Sequence, residues 1–250
     1  MTGMTFDDLT QVDHHATAAP TVAAADRLLK HLSRPVTLTV ASGGPVLTVG
    51  LAYAIGAGRG HTVAVIDTDP RQPCSTITGT TCVPVGQLLD QLDAWYANPA
   101  ASITPSTAPV DVWGAAGLRP DEIVLAHAIL ARSYPVIVIA DPGAVGAGLG
   151  DVIIRHLRWT TTAVHTLTQT LTTDHAAGEP VTGRTVIAAL DDLAEPGVEN
   201  QARRRLAAFP VCPIPTDPAT VAPPMSWAAL RPITRSAFTN LAAAAFDLTK

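Results

Sequence analysis

The stretch PVTLTVASGGPVLTVGLAYAIGAGRGHTVAVIDTDPRQP, residues 35–73, decides how the rest of this chain is read. It opens on a β-branched apolar run from Val36 to Ala41 and turns at Ser42-Gly43-Gly44-Pro45. A segment with the apolar density of a packed helix follows, Val46 to Gly58, and then a second β-branched run, Thr62 to Asp67. Strand, glycine turn, helix, strand is a βαβ unit, and continuous apolar strands of this kind belong to a parallel sheet covered on both faces. Gly50 and Gly56 weaken the helix intrinsically, which predicts close packing against it. The unit ends on Asp67-Thr68-Asp69-Pro70, placing carboxylates at a strand end. A glycine turn before a helix lets backbone N–H groups cradle phosphate, with the helix dipole favouring negative charge. The shape is that of a nucleotide site, but the stretch contains no lysine.

The bulk composition agrees with a folded α/β protein. With 250 residues, 47% of them apolar and 15% charged, the chain can bury a proper core. A net charge of −5 supplies no overall attraction to nucleic acid or anionic lipid. Cys74, Cys82 and Cys212 form neither a CxxC pair nor a zinc spacing, so they read as reduced thiols of a cytoplasmic protein. No apolar run reaches the roughly 18 residues of a membrane span and the N-terminus carries no signal-peptide pattern, so no membrane partner is expected.

The expected organisation is a flexible arm over residues 1–25 and a single α/β domain over 26–250. His14 and His15 lie in the arm beside Asp13 and read as solvated residues rather than metal ligands. A short helix is expected over Ala23–Leu32, an irregular stretch over Gly79–Val85, a helix over Gly86–Tyr96 and a strand over Val110–Trp113. Pro120–Arg132 has Pro at its start and acids in its first turn, as helices do, and Pro135–Asp141 (PVIVIAD) is a buried strand ending on an aspartate. Gly148–Trp159 is expected to be a helix, and the Thr and Val content of Thr160–Thr170 favours a strand. Thr185–Leu190 and Val211–Pro215 complete the strands, Gly197–Phe209 is a helix carrying Arg203-Arg204-Arg205, and a terminal helix is expected from about Ser226 to Leu248, interrupted or started afresh near Pro232. Alternation of this kind predicts a doubly wound, mostly parallel sheet with helices on both faces.

Four segments in this order resemble the ParA/MinD family of deviant-Walker P-loop ATPases, the SIMIBI class. SGGPVLT (Ser42–Thr48) lies where the family has KGGVGKT, and VAVIDTDPRQ (Val63–Gln72) is similar to its VLLIDLDPQG. YPVIVIADPG (Tyr134–Gly143) resembles YDYIIIDTPPG, and PIPTDP (Pro213–Pro218) resembles its IPYDP ahead of the last helix. The resemblance implies ATP or ADP with Mg²⁺ as ligands, cradled by Ser42, Gly43 and Gly44. It implies direct contact of Thr48 with Mg²⁺, Asp67 and Asp141 ordering the metal's waters, and Asp69 positioning the attacking water. Asp191 falls where the family reads adenine with an Asn.

The departures weaken that chemistry. The family's two lysines fall at Ser42 and Leu47, and its third glycine at Val46. A leucine at the P-loop lysine position removes a charge-assisted contact worth about 1.5–3 kcal/mol. Lysine occurs only at Lys30 and Lys250, so only an arginine can compensate, and Arg71 is nearest in sequence. Ser42-Gly43-Gly44 can equally be an ordinary strand-to-helix turn, and Asp67, Asp69 and Asp141 can persist as capping or loop-orienting groups. The expectation is therefore a degenerate Walker A site with nucleotide binding weak or absent. The chain then acts as a non-hydrolysing scaffold or positioning partner of a larger assembly, with a protein partner and a possible homodimer through the nucleotide-site face. The alternative is an atypical ATPase that partitions DNA or positions a protein cargo, with an arginine in place of the lysine. Arg203–Arg205 read as a solvated face rather than a DNA contact.

Overall fold

A computed structural model describes residues 22–28, 32–41, 44–71, 73–98, 103–141, 148–179, 181–192 and 194–249. Ser42 and Gly43, the histidines at 14 and 15, and Pro142 and Gly143 lie outside the described residues. Helix α1 (Val22–Leu28) leads into β1 (Val36–Ala41), α2 (Pro45–Arg59), β2 (Val63–Asp67) and α3 (Pro73–Thr78). Then come β3 (Cys82–Pro84), the short helices α4 (Gly86–Leu89) and α5 (Leu92–Ala97), β4 (Val110–Gly114), α6 (Pro120–Leu130) and β5 (Val136–Asp141). The second half comprises β6 (Val152–Arg158), α7 (Thr161–Ala176), α8 (Val181–Arg184), β7 (Thr185–Leu190), α9 (Val198–Arg205), β8 (Val211–Ile214) and α10 (Pro232–Asp247).

The eight strands among the described residues join one sheet in the order β3-β4-β2-β5-β1-β6-β7-β8, and every neighbouring pair is parallel. The sequence is consistent with this because β1, β2 and β5 are buried at every residue and have no solvent face to mark with polar side chains. Alternation along each strand feeds two layers. Val36, Leu38 and Val40 of β1, with Val63 and Val65 of β2 and Val136, Val138 and Ala140 of β5, meet α2 and α10 in the larger core. Ile66, Ile137 and Ile139 face the other way, onto Ile123, Ile129 and Leu130 of α6. Leu157 and Ile187 on that second face pack on Val164, Leu167 and Leu171 of α7.

Two expectations are corrected. The segment expected to be a helix, Gly148–Trp159, contains strand β6, and the segment expected to be a strand, Thr160–Thr170, lies almost wholly within helix α7. Helix α7 holds against its β-branched composition for two reasons. Thr160 caps it, its hydroxyl accepting the Ala163 N–H at 3.2 Å, and Val164, Leu167 and Leu171 bury one face of it against Leu157 and Ile187 of the sheet. A smaller difference is β3, a three-residue edge strand inside the stretch expected to be irregular.

The glycines of α2 do mark close approaches. A Cβ on Gly50 would clash with the Phe238 ring of α10, and one on Gly56 would come within 2.8 Å of the Pro109 carbonyl oxygen. Gly50→Ala gains about 0.5–1 kcal/mol of helix propensity but forces overpacking that costs about 1–3 kcal/mol. Urea unfolding is expected to show a net loss of about 1–2 kcal/mol for the variant, whereas Gly44→Ala, where a Cβ meets nothing within 4 Å, should be far milder.

Candidate functional site

Because every strand runs the same way, all eight carboxyl ends lie on one edge of the sheet. The chain leaves β1 toward β2 and later crosses to β6 on the opposite side of β1, which makes the β1 end the switch point where open α/β sheets place ligands. Gly44, Asp67, Asp141, Asp191 and the Pro215-Thr216 pair are thereby brought to this edge from β1, β2, β5, β7 and β8.

The acidic side of the edge is organised around Asp67, which is buried. Its Oδ1 accepts the Asp69 N–H at 3.2 Å and its Oδ2 the Cys74 N–H at 2.9 Å, tying the end of β2 to α3. Burial pushes its carboxyl above the ordinary range, and the two N–H groups offset this only in part. Burial and the neighbouring Asp67 also push the Cys74 thiol up, so it is not a nucleophile. Asp67 pairs with Ala140 in the ladder, whereas Asp141 pairs with Ala41. The two carboxylates therefore share an edge but stand in opposite phase of the pleat, Asp67 on the α2 side and Asp141 on the α6 side. Arg71 is exposed and turned onto Asp69, with NH2 2.9 Å from Oδ2 and Nε 3.1 Å from Oδ1. This pair holds the Asp69 carboxyl below its usual range.

Helix α2 begins with Gly44 as N-cap and Pro45 at its first position. Among the described residues it has no side-chain cap and no acid in its first turn, which leaves its positive end uncompensated. Thr48 is buried in that first turn. Leu47 is 1% exposed and belongs to the main core.

Beside this helix start lies a cavity of about 190 Å³. Gly44, Val46 and Leu47 form one wall, Leu190, Asp191 and Asp192 a second, Ile214, Pro215 and Thr216 a third, with Thr220, Val221 and Phe238 closing it. The Asp191 N–H donates to the Ile214 carbonyl at 3.1 Å, and the Thr216 hydroxyl donates to the Asp191 carbonyl at 2.8 Å, locking the ends of β7 and β8 together. An apolar slot with a few polar groups, opening beside a helix N-terminus, suits a flat heteroaromatic group with an anionic tail.

The resemblance to solved structures extends over the whole of this architecture. The ParA family ATPase from Chlorobium tepidum TLS aligns with a TM-score of 0.58 at 13% identity, covering 86% of this chain and 97% of that one. A chain of the MinC:MinD cell division protein complex of Aquifex aeolicus gives 0.53 at 13% identity, covering 86% and 94%. The fold is ParA/MinD-like. A Cyanothece McdA variant in complex with ATP gives 0.56 at 16% identity, covering 85% and 97%. No protein-family model matches the chain, and no curated protein matches its sequence.

The ParA/MinD-like edge has features that the motifs do not announce. Arg158 ends β6 and bonds to Asp192 at 3.2 Å, within the segment expected to be a helix. Asp217 enters the sequence reading only as part of PIPTDP, yet it organises the outer wall: buried, it accepts the Ala219 N–H at 3.0 Å and the Arg231 N–H at 2.8 Å. The Arg231 guanidinium lies 3.6 Å from the same carboxylate and also donates to the Thr216 carbonyl. At the far end of the sheet edge Arg203 pairs with Glu199 at 2.9 Å and lies over the Trp159 ring, and Arg204 bonds its own helix at Asn200.

Burial alone would raise the Asp217 carboxyl, but the N–H groups of Arg231 and Ala219 outweigh it and hold the group below its ordinary value. A depressed carboxyl contributes stability that is complete above the unfolded value, about 3.9, and is lost as pH falls through the folded one. Asp217→Ala is expected to cost about 1–2 kcal/mol at pH 7 by leaving the part-buried Ala219 and Arg231 N–H groups without their acceptor. The gap between wild type and variant in thermal melts should stay constant from about pH 7 to about 5 and close below about 4.

Proposed function

We propose that this chain is a ParA/MinD-like protein with a degenerate nucleotide site, a pseudo-ATPase that binds ATP or ADP weakly and does not hydrolyse it efficiently. It works as a scaffold or positioning partner of a protein assembly. The observation that carries the reading is Leu47, committed to the core and to the cavity wall at the position where the resemblance places the P-loop lysine. Without that ammonium the β- and γ-phosphates lose a charge-assisted contact, while the apolar slot between α2, β7 and β8 is intact. The Asp69–Arg71 pair supports the same reading, because the carboxylate expected to position a water is engaged by its own neighbour.

Mg²⁺ is compatible with these residues only as a partner of the nucleotide. Among the described residues no group of three or more His, Cys, Asp or Glu side chains converges on a metal position. Such a metal would lean on the phosphates, the Thr48 hydroxyl and the water-mediated reach of Asp67 and Asp141. Bound there, Mg²⁺ would neutralise phosphate charge.

The neighbour in the MinC:MinD complex is a protein bound to a protein, and the McdA neighbour is an ATP complex. These support a nucleotide-tuned protein surface as the working part of this chain, with a homodimer through the nucleotide-site face as the natural arrangement. Among the described residues no helix is long and apolar enough to cross a membrane.

The test is phosphate release with ATP and Mg²⁺, alone and with co-purifying proteins, alongside nucleotide titration by calorimetry. The expected outcome is binding weaker than about 10 µM with release at background throughout. Turnover that is abolished by Thr48→Ala or Asp141→Ala would overturn the reading in favour of an active ATPase.

A further inference from the structure

We propose that Arg158, at the carboxyl end of β6, supplies the positive charge that meets the phosphate chain of a nucleotide at this site; the proposal rests on the nucleotide reading above. The register carries it. Arg158 pairs with Leu190, and Leu190 pairs with Ile214, so the three side chains form one row across β6, β7 and β8. Leu190 and Ile214 line the cavity, which places Arg158 as the next member of that row, at its rim. Val152 and Ile154, in the same phase of β6, pack in the core formed with α2, so Arg158 stands on the α2 side of the sheet.

Position along the edge separates Arg158 from Arg71. In the sheet order β2-β5-β1-β6-β7, β6 adjoins both β1, after which α2 starts at Gly44, and β7, which bounds the cavity. Strand β2, which carries the Arg71 loop, is four strands from β7, or roughly 19 Å at about 4.8 Å per strand. A nucleotide with its base in the slot and its phosphates toward Gly44 runs past the end of β6. The Arg71 guanidinium meanwhile is engaged on Asp69.

The state of Arg158 fits a waiting anion ligand. Its guanidinium is half-exposed and rests on Asp192, itself a cavity residue, at 3.2 Å. A solvent-exposed pair of this kind is weak, so Asp192 holds the guanidinium at the rim without competing strongly against a multiply charged phosphate. Two residues earlier on the same face, the buried Nε2 of His156 has no hydrogen-bond partner among the described residues. The planar fork of an arginine serves phosphate at least as well as the ammonium it replaces.

The experiment is calorimetric titration of the full chain with ADP and with adenosine, for wild type, R158A, R158Q, R71A and D192N. Wild type is expected to prefer ADP over adenosine by roughly tenfold or more. R158A and R158Q should erase that preference while keeping adenosine affinity within about twofold. D192N, which frees the guanidinium and removes a like charge from the ligand's path, should tighten ADP several-fold. An R158A that retains the ADP preference overturns the proposal, as does R71A losing it in place of R158A. Should R158A and R158Q fail to fold, R158M, which keeps the apolar stem and drops the charge, decides by the same comparison: a retained ADP preference overturns the proposal, and a lost one supports it. Equal affinity of wild type for ADP and adenosine overturns the role of Arg158 and leaves the nucleotide slot standing. Absence of binding by either ligand overturns both.

Discussion

The burial of α2 is the constraint on which the rest of the structure depends. From Leu47 to Gly56 every residue of this helix is buried, between the sheet on one side and α10 on the other. A helix enclosed on all sides leaves no solvent face, and its sequence is set by volume rather than by chemistry. Gly50 is small because the Phe238 ring occupies the space of its side chain, and Gly56 because Pro109 does. Leu47 obeys the same demand. Its side chain carries volume into the core, where a charge would be costly.

A similar constraint governs Asp67. An unpaired buried carboxylate is costly, and its raised titration reflects that cost. The N–H groups of Asp69 and Cys74 make it tolerable and convert the side chain into a joint between β2 and α3. The aspartate thus has structural work whether or not a metal is ever near it. Asp217 does comparable work across the edge, where its hydrogen bonds define the far wall of the cavity. Both acids lie in segments that resemble ATPase motifs, and in both the local structure accounts for the residue without reference to catalysis.

The sheet was legible where burial was uniform. VTLTVA, TVAVID and PVIVIAD are rich in β-branched residues and carry no charge apart from the terminal aspartates of the last two, so β1, β2 and β5 could be placed with the helices between them. Legibility failed at β6, where Arg155 pairs with Asp174 of α7 at 2.6 Å and Arg158 with Asp192. Those charges break the apolar run, and their partners are 19 and 34 positions away in sequence, beyond any local pattern. It failed again at α7, where composition outweighed period. Val164, Leu167 and Leu171 mark a helix face at three- and four-residue spacing, while the intervening threonines suggested a strand. Of the site, the motif residues were readable, but the cavity was not, because its walls come from three distant loops that meet only when β7 and β8 pair.

These failures and the site are connected. A ParA/MinD-like sheet forms here at 13–16% identity to its solved neighbours because strand order follows from apolar pattern and right-handed crossovers, not from particular side chains. The side chains at the carboxyl edge are then free to be redistributed. Position 47, enclosed by α2's burial, cannot host a charge without cost, whereas the end of β6 emerges half-exposed at the same edge and can. Arginine at 158 and leucine at 47 are two consequences of one geometry: charge sits where solvent can still reach it, and apolar volume sits where it cannot. Of the two arginines that made β6 unreadable as a strand, Arg158 is the one in register with Leu190 and Ile214, which line the cavity.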